Sequence, residues 1–168
     1  MIPMETERLQ IRNFTAEDWP ALREVIIHYQ ASASAQYEPP WPTSPEAVQE
    51  LISWFAAGDA YLCVCRRASA TVIGLLAIER RNDHDEAVHN LGYVFDPAYQ
   101  GQGYALEGCR AVMRYLFEQL AVAAIHTGTH PANEASVRLL TRLGLRPIKP
   151  GEFMLTRAEW QAFASAEV

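Results

Sequence analysis

One unit near the middle of the chain constrains the fold most. An apolar run from Val88 to Phe95 stops at Asp96-Pro97; Tyr99-Gln100-Gly101-Gln102-Gly103-Tyr104-Ala105 follows, and then a long amphipathic segment. In that segment Leu106, Cys109, Val112, Met113, Leu116, Phe117 and Leu120 recur at helical spacing, so a strand, a glycine turn and a helix succeed one another. Glycines one residue apart let the backbone approach a ligand with no Cβ in the way, and a helix start offers unpaired N–H groups and a positive dipole end. The unit predicts a cradle for a phosphorylated ligand.

The flanking sequence supplies the rest of an α/β architecture. Thr6 to Asn13 reads as a first strand. Thr15 with Asp18 starts a helix carrying Trp19, Leu22, Val25, Ile26 and Tyr29, and Ser44-Pro45 starts a second with Val48, Leu51, Ile52 and Phe55, ended by Gly58. Between them, Ala31 to Thr43 is a loop with a hard stop at Pro39-Pro40-Trp41-Pro42. Ala60 to Arg66 and Thr71 to Glu79 read as a hairpin, Arg80 to Glu86 as a loop and Val88 to Phe95 as one strand. Beyond the long helix come a strand over Ala121 to Thr129, a helix capped by Asn133 and closed by Gly144, two short strands near Leu145 to Ile148 and Phe153 to Leu155, and a helix opened by Thr156 and Glu159. Hairpins mixed with β-α-β units predict an α/β fold with a mixed sheet and helices on both faces.

Composition narrows the class. With 49% hydrophobic residues in 168, the chain suits one compact domain over residues 1–168. No apolar run is long enough for a membrane span, and Met1-Ile2-Pro3-Met4-Glu5 lacks a signal-peptide pattern, which reads as cytoplasmic. A net charge of −6 argues against a general nucleic-acid binder and is compatible with a cationic substrate or simply with solubility. Cys63, Cys65 and Cys109 read as reduced core thiols, and no second cluster gives them zinc-type spacing. His126 and His130 lie four apart on a strand, about 13 Å, too far for one metal, so no metal site is expected.

The glycine run fits neither common nucleotide motif. Leu106 occupies the third-glycine position of a dinucleotide fingerprint, and no acid follows in Ile125-His126-Thr127-Gly128-Thr129 to hold a ribose. No Gly-x-x-x-x-Gly-Lys-Ser/Thr occurs either.

Gln100-Gly101-Gln102-Gly103-Tyr104-Ala105 instead resembles the Gln/Arg-x-x-Gly-x-Gly/Ala signature of the GNAT acetyltransferases, which move acetyl from acetyl-CoA to amines. Asn133-Glu134-Ala135-Ser136 followed by Arg142-Leu143-Gly144-Leu145 is similar to a second family block. Glu5-Thr6-Glu7-Arg8-Leu9-Gln10-Ile11-Arg12 is similar to the opening of the RimJ/RimL-type enzymes that acetylate ribosomal-protein N-termini. The resemblance covers nearly the whole chain. It implies the GNAT fold, a mixed, mostly antiparallel twisted sheet of about seven strands with helices on both faces, and acetyl-CoA as cosubstrate. It also implies pyrophosphate on Gln100, Gly101, Gln102, Gly103, Tyr104 and Ala105, and pantetheine along the backbone of Val94 and Phe95 and near Asn133.

Aminolysis of a thioester needs a neutral amine held at the carbonyl and routes for protons. Where the family often has an acid before its Ile-Gly-Tyr-like triplet, this chain has Asn90 before Leu91-Gly92-Tyr93. Glu79 and His89 are the substitute bases, against the plainer reading of each as a strand-edge polar residue. No tyrosine follows Tyr115 to protonate the thiolate, which leaves Ser136 as candidate acid or as an ordinary helix-start hydroxyl. Arg138 and Arg142 share one helix face, either toward a 3′-phosphate or toward solvent. Tyr37 and Trp41 either line an acceptor pocket or seal the core. The expected reaction is direct transfer to a primary amine, a protein N-terminus or a small molecule, by a monomer or homodimer without nucleic acid or membrane. The rival from another class is a non-catalytic acyl-CoA sensor or scaffold.

Overall fold

The computed structural model describes residues 3–83 and 87–166. Among them a first sheet runs in the order β1 (Met4–Glu5), β2 (Leu9–Asn13), β3 (Tyr61–Arg66), β4 (Val72–Ala77), β6 (Gly92–Phe95), every neighbour antiparallel. A second sheet has the order β5 (Val88–His89), β7 (Ala124–Gly128), β9 (Glu152–Thr156), β8 (Arg146–Lys149), with β5 and β7 as its parallel pair. The mixed, mostly antiparallel α/β fold is as expected, with nine strands among the described residues.

Both faces of the first sheet are covered at its centre, which is why β3 and β4 read as unbroken apolar runs rather than alternating ones. Leu62 and Val64 of β3 pack with Cys109, Val112 and Met113 of α3 (Tyr104–Arg114). Cys63 and Cys65, one residue out of phase, pack on the other side with Leu22 and Ile26 of α1 (Trp19–Gln30) and Ile52 and Phe55 of α2 (Pro45–Ala56). All three cysteines are free and buried.

The helix boundaries follow local chemistry. The Thr15–Asp18 capping box closes a short 3-10 turn ahead of α1. The Ser44 hydroxyl accepts the Ala47 N–H at the start of α2. Thr156 and Glu159 cap α5 (Arg157–Ala166) reciprocally. No helix among the described residues is long and apolar enough to cross a membrane.

Two expectations fail for identifiable reasons. Val88 to Phe95 is two strands: β5 joins β7 in the second sheet and β6 joins β4 in the first. At the break the Asn90 N–H donates to Glu79 O and the Thr127 hydroxyl donates to Leu91 O, so the two sheets diverge beyond this point. The Leu120 side chain, expected on the core stripe, is 46% exposed. The chain widens into a π turn over Tyr115–Gln119, with Leu120 N–H bonded to Tyr115 O, and the longer turn rotates Leu120 off the buried face.

Candidate active site

The cradle is built where β6 ends. Asp96 accepts the Ala98 N–H and shapes a 3-10 turn over Pro97–Tyr99. Gly101 and Gly103 then take φ of +73° and +82°, a left-handed backbone that favours glycine, and Gly103 serves as N-cap of α3. A Cβ at Gly101 would stand in open space, so the loop there faces a cleft rather than the protein interior. The first-turn N–H groups of α3 have no intrahelical partners and are available to an anion.

The turn between β1 and β2 fastens this loop. The Arg8 guanidinium donates to Gln102 O at 2.9 Å and lies over the Tyr104 ring, 4.4 Å from its centroid. Glu107 accepts from the Thr6 hydroxyl, the Arg8 N–H and Arg8 Nε at 2.5, 2.9 and 2.7 Å. Burial pushes the Glu107 carboxyl up, but these hydrogen bonds outweigh it and hold it below its ordinary value.

Two cavities meet beside β6. One, about 350 Å³, runs over the cradle and is lined by Phe95, Gln100, Gly101, Gly103, Tyr104, Ala105 and, further along, Arg142. The other, about 330 Å³, occupies the gap where the sheets diverge, with Asn90 to Val94 on one wall and Thr127 to His130 on the other. Glu38, Tyr93, Asn133 and Ser136 line both and mark the junction. A larger open groove of about 730 Å³ beside β1 carries charges of both signs and converges on no such set of groups.

At the junction Asn133 is buried and accepts the Ser136 N–H, capping α4 (Glu134–Arg142). The hydroxyls of Ser136 and Tyr93 are 2.6 Å apart. Burial pushes the Tyr93 phenol above its ordinary value, so it stays protonated. Glu38 reaches the junction from the loop after α1, its carboxylate accepting from Tyr29 OH at 3.0 Å.

Most of the expected cofactor residues come together, and a few do not. Phe95, Gln100, Gly101, Gly103, Tyr104, Ala105 and Asn133 line the first cavity. Val94 lines the second, and its side chain is buried in the core against α1 and α2. The Gln102 side chain turns back to donate to Ala98 O, away from both cavities. Glu79 lines the second cavity, where it accepts from Tyr61 OH at 2.5 Å. His89 lines neither cavity; its ring Nδ1–H donates to Ile78 O, which leaves the lone pair on Nε2. Tyr37 and Trp41 line the second cavity, and Trp41 also packs on the core, so it does both things. Arg138 pairs with Glu134 on the surface. His130 stacks on Tyr37, and His126 pairs with Glu152. Among the described residues no group of three or more His, Cys, Asp or Glu is placed to hold a metal.

The sequence reading missed Tyr93 and Glu38. Tyr93 had a signal, since it shares strand parity with Phe95 two residues on. Glu38 had none, because its position depends on how a proline-rich loop folds across the sheet.

Comparison with known proteins speaks to the family and the fold. The family model for the acetyltransferase (GNAT) domain matches residues 8–146. The uncharacterized N-acetyltransferase YnaD of Bacillus subtilis (strain 168) is 28% identical over 142 residues, covering 84% of this chain and 81% of that protein. An acetyltransferase (GNAT family) from Bacillus anthracis superposes with a TM-score of 0.83 at 21% identity, over 94% of this chain and 99% of the other. The ribosomal-protein-S5-alanine acetyltransferase from Vibrio fischeri has a TM-score of 0.81 at 16% identity, over 95% and 99%. At these identities the two structures speak to the fold alone.

Proposed function

The chain belongs to the GNAT acetyltransferase family, and on that premise we propose that it transfers acetyl from acetyl-CoA to a primary amine by direct attack in a ternary complex. The observation that carries this reading is the junction: two cavities, one over an anion cradle, share Glu38, Tyr93, Asn133 and Ser136. Acetyl-CoA fits the first cavity by its chemistry. The left-handed Gly101 and Gly103 and the start of α3 suit a pyrophosphate, the wall at Phe95 suits pantetheine, and Arg142 at the cavity edge suits the 3′-phosphate.

As the amine nitrogen bonds to the acetyl carbon, the carbon–sulfur bond breaks. An ammonium acceptor gives up two protons in becoming the amide; one ends on the thiol and one in solvent. Glu38, exposed at the junction, takes the amine's proton. Ser136, with the protonated Tyr93 behind it, delivers a proton to the departing sulfur. Glu79 stands deeper in the acceptor half as a binding group, and His89 is left out. Resemblance at Glu5 to Arg12 supports a place in the RimJ/RimL-type subgroup, and since Thr6 and Arg8 there bond to Glu107 and Gln102 rather than line the acceptor cavity, it leaves the acceptor open. The net charge of −6 supports action away from nucleic acid.

Thiol release from acetyl-CoA is the direct test, run with a panel of amines beside thermal shifts with CoA, ATP and NAD. Amine-dependent release and stabilisation by CoA are expected. Stabilisation by ATP or NAD but not CoA overturns the ligand, and CoA binding with no release for any amine overturns the enzyme.

A further inference from the structure

Resting on the transferase reading, we infer that the acceptor is a small diamine or polyamine, a molecule with a second cationic charge and no carboxylate near the reacting amine. The charged side chains lining the 330 Å³ cavity, among the described residues, are Glu38 and Glu79; no lysine or arginine lines it. Its titratable nitrogen is that of His130, which is exposed, stacked on Tyr37, and uses Nδ1 to accept the Ala132 N–H. A free amino acid bound there would bring its carboxylate to two carboxylates with no cation to answer it.

Both acids are held in the same way. Tyr29 OH donates to one oxygen of Glu38 and Tyr61 OH to one oxygen of Glu79, which leaves the second oxygen of each for a cation. Burial, and then the neighbouring carboxylate, push both phenols above their ordinary values, so both remain donors at any working pH. The same cavity wall is rich in aromatic rings, with Tyr37, Trp41, Tyr61 and Tyr93 contributing to it. Ring faces suit an ammonium group and the methylene chain behind it.

The acids also occupy different depths. Glu38 sits at the junction with the cofactor cavity, whereas Glu79 lines the acceptor cavity alone. In the β4–β6 ladder Leu76 stands opposite Tyr93, and the Glu79 carbonyl bonds Asn90 three residues further along. That places Glu79 about 10 Å along the strand from the junction tyrosine. One ammonium at Glu38 and a second at Glu79, joined by a few methylene groups, match this arrangement; a monoamine leaves Glu79 unanswered.

The test compares kcat/KM for a four-carbon α,ω-diamine, the monoamine of the same length and the corresponding ω-amino acid. The diamine is expected to lead both by at least about tenfold. Glu79→Gln is expected to collapse the diamine-to-monoamine ratio to within about threefold, and Glu79→Asp to keep part of it, which separates charge from packing. Equal use of the monoamine or the amino acid, or an unchanged ratio in Glu79→Gln, overturns the assignment while leaving the transferase reading intact. Absence of thiol release with every amine overturns the transferase reading and this one with it.

Discussion

Gly74→Ala is the sharpest probe of the wall that separates the core from the cavity over the glycine cradle. Gly74 lies on β4 opposite Phe95 of β6, and a Cβ added there would come to 2.5 Å from Val94 O and 2.9 Å from Phe95 Cδ1. An ordinary carbon–oxygen contact is about 3.3–3.6 Å, so the strands must part by nearly an ångström, and the obstructing oxygen is backbone that cannot swing aside. Overpacking of this kind costs about 1–3 kcal/mol, and the rigid contact argues for the upper part, about 2–3. For a chain of this length each kcal/mol lowers Tm by about 2–4 °C, giving a fall of roughly 4–12 °C. Gly58→Ala is the control: nothing lies within 4 Å of its Cβ, and it should change stability by less than about 0.5 kcal/mol. Thermal unfolding followed by far-UV circular dichroism measures both. A Gly74→Ala midpoint within a degree of the parent would refute the packing argument. If the midpoint falls as expected, CoA affinity should weaken as well, since Phe95 is shared by the strand pair and the cofactor cavity.

Ser136→Ala should lower kcat by about a hundredfold if its hydroxyl supplies the proton, with Tyr93→Phe giving a smaller loss in the same direction; unchanged kcat in Ser136→Ala removes it from the chemistry. Stability should also fall on the acid side. Glu107 is held below its ordinary 4.5 and Glu159, paired with Arg146, down to about 2, so each contributes stability that is complete above about pH 4.5 and lost as pH drops through the folded value. Glu107→Gln and Glu159→Gln should each flatten the stability profile below pH 4.5, and an acid limb of undiminished steepness in both would show that the loss arises elsewhere.

What the sequence disclosed is what neighbouring residues decide. The Thr15–Asp18 box, the Asn133 cap and the Thr156–Glu159 box each depend on a side chain reaching backbone three residues away, and the glycine turn depends on backbone freedom at Gly101 and Gly103. The break at Asn90-Leu91 had only a weak local sign, the strand-disfavouring Asn90 and Gly92, and competition between β4 and β7 for the segment's hydrogen bonds divides it. The Ser136–Tyr93 contact spans 43 positions and the meeting of Glu38 with that pair depends on the path of a loop. Neither leaves a mark on local spacing. The glycine cradle was therefore legible, and most of the wall of the second cavity was not.

The clamp between Arg8 and the loop at Gln102 has a kinetic side. Its partners are 94 positions apart, and those of the Thr6–Glu107 bond are 101 apart. Contacts that close loops of this size require loop-closure entropy to be spent before they return any stabilisation, so pairings of this kind slow folding. The cradle's backbone is thus fixed by a turn between β1 and β2 that meets the start of α3 from across most of the chain. A chain emerging in order from the ribosome holds that turn for some ninety residues before Gln102 exists. The shape of the cradle is therefore a long-range property of the fold.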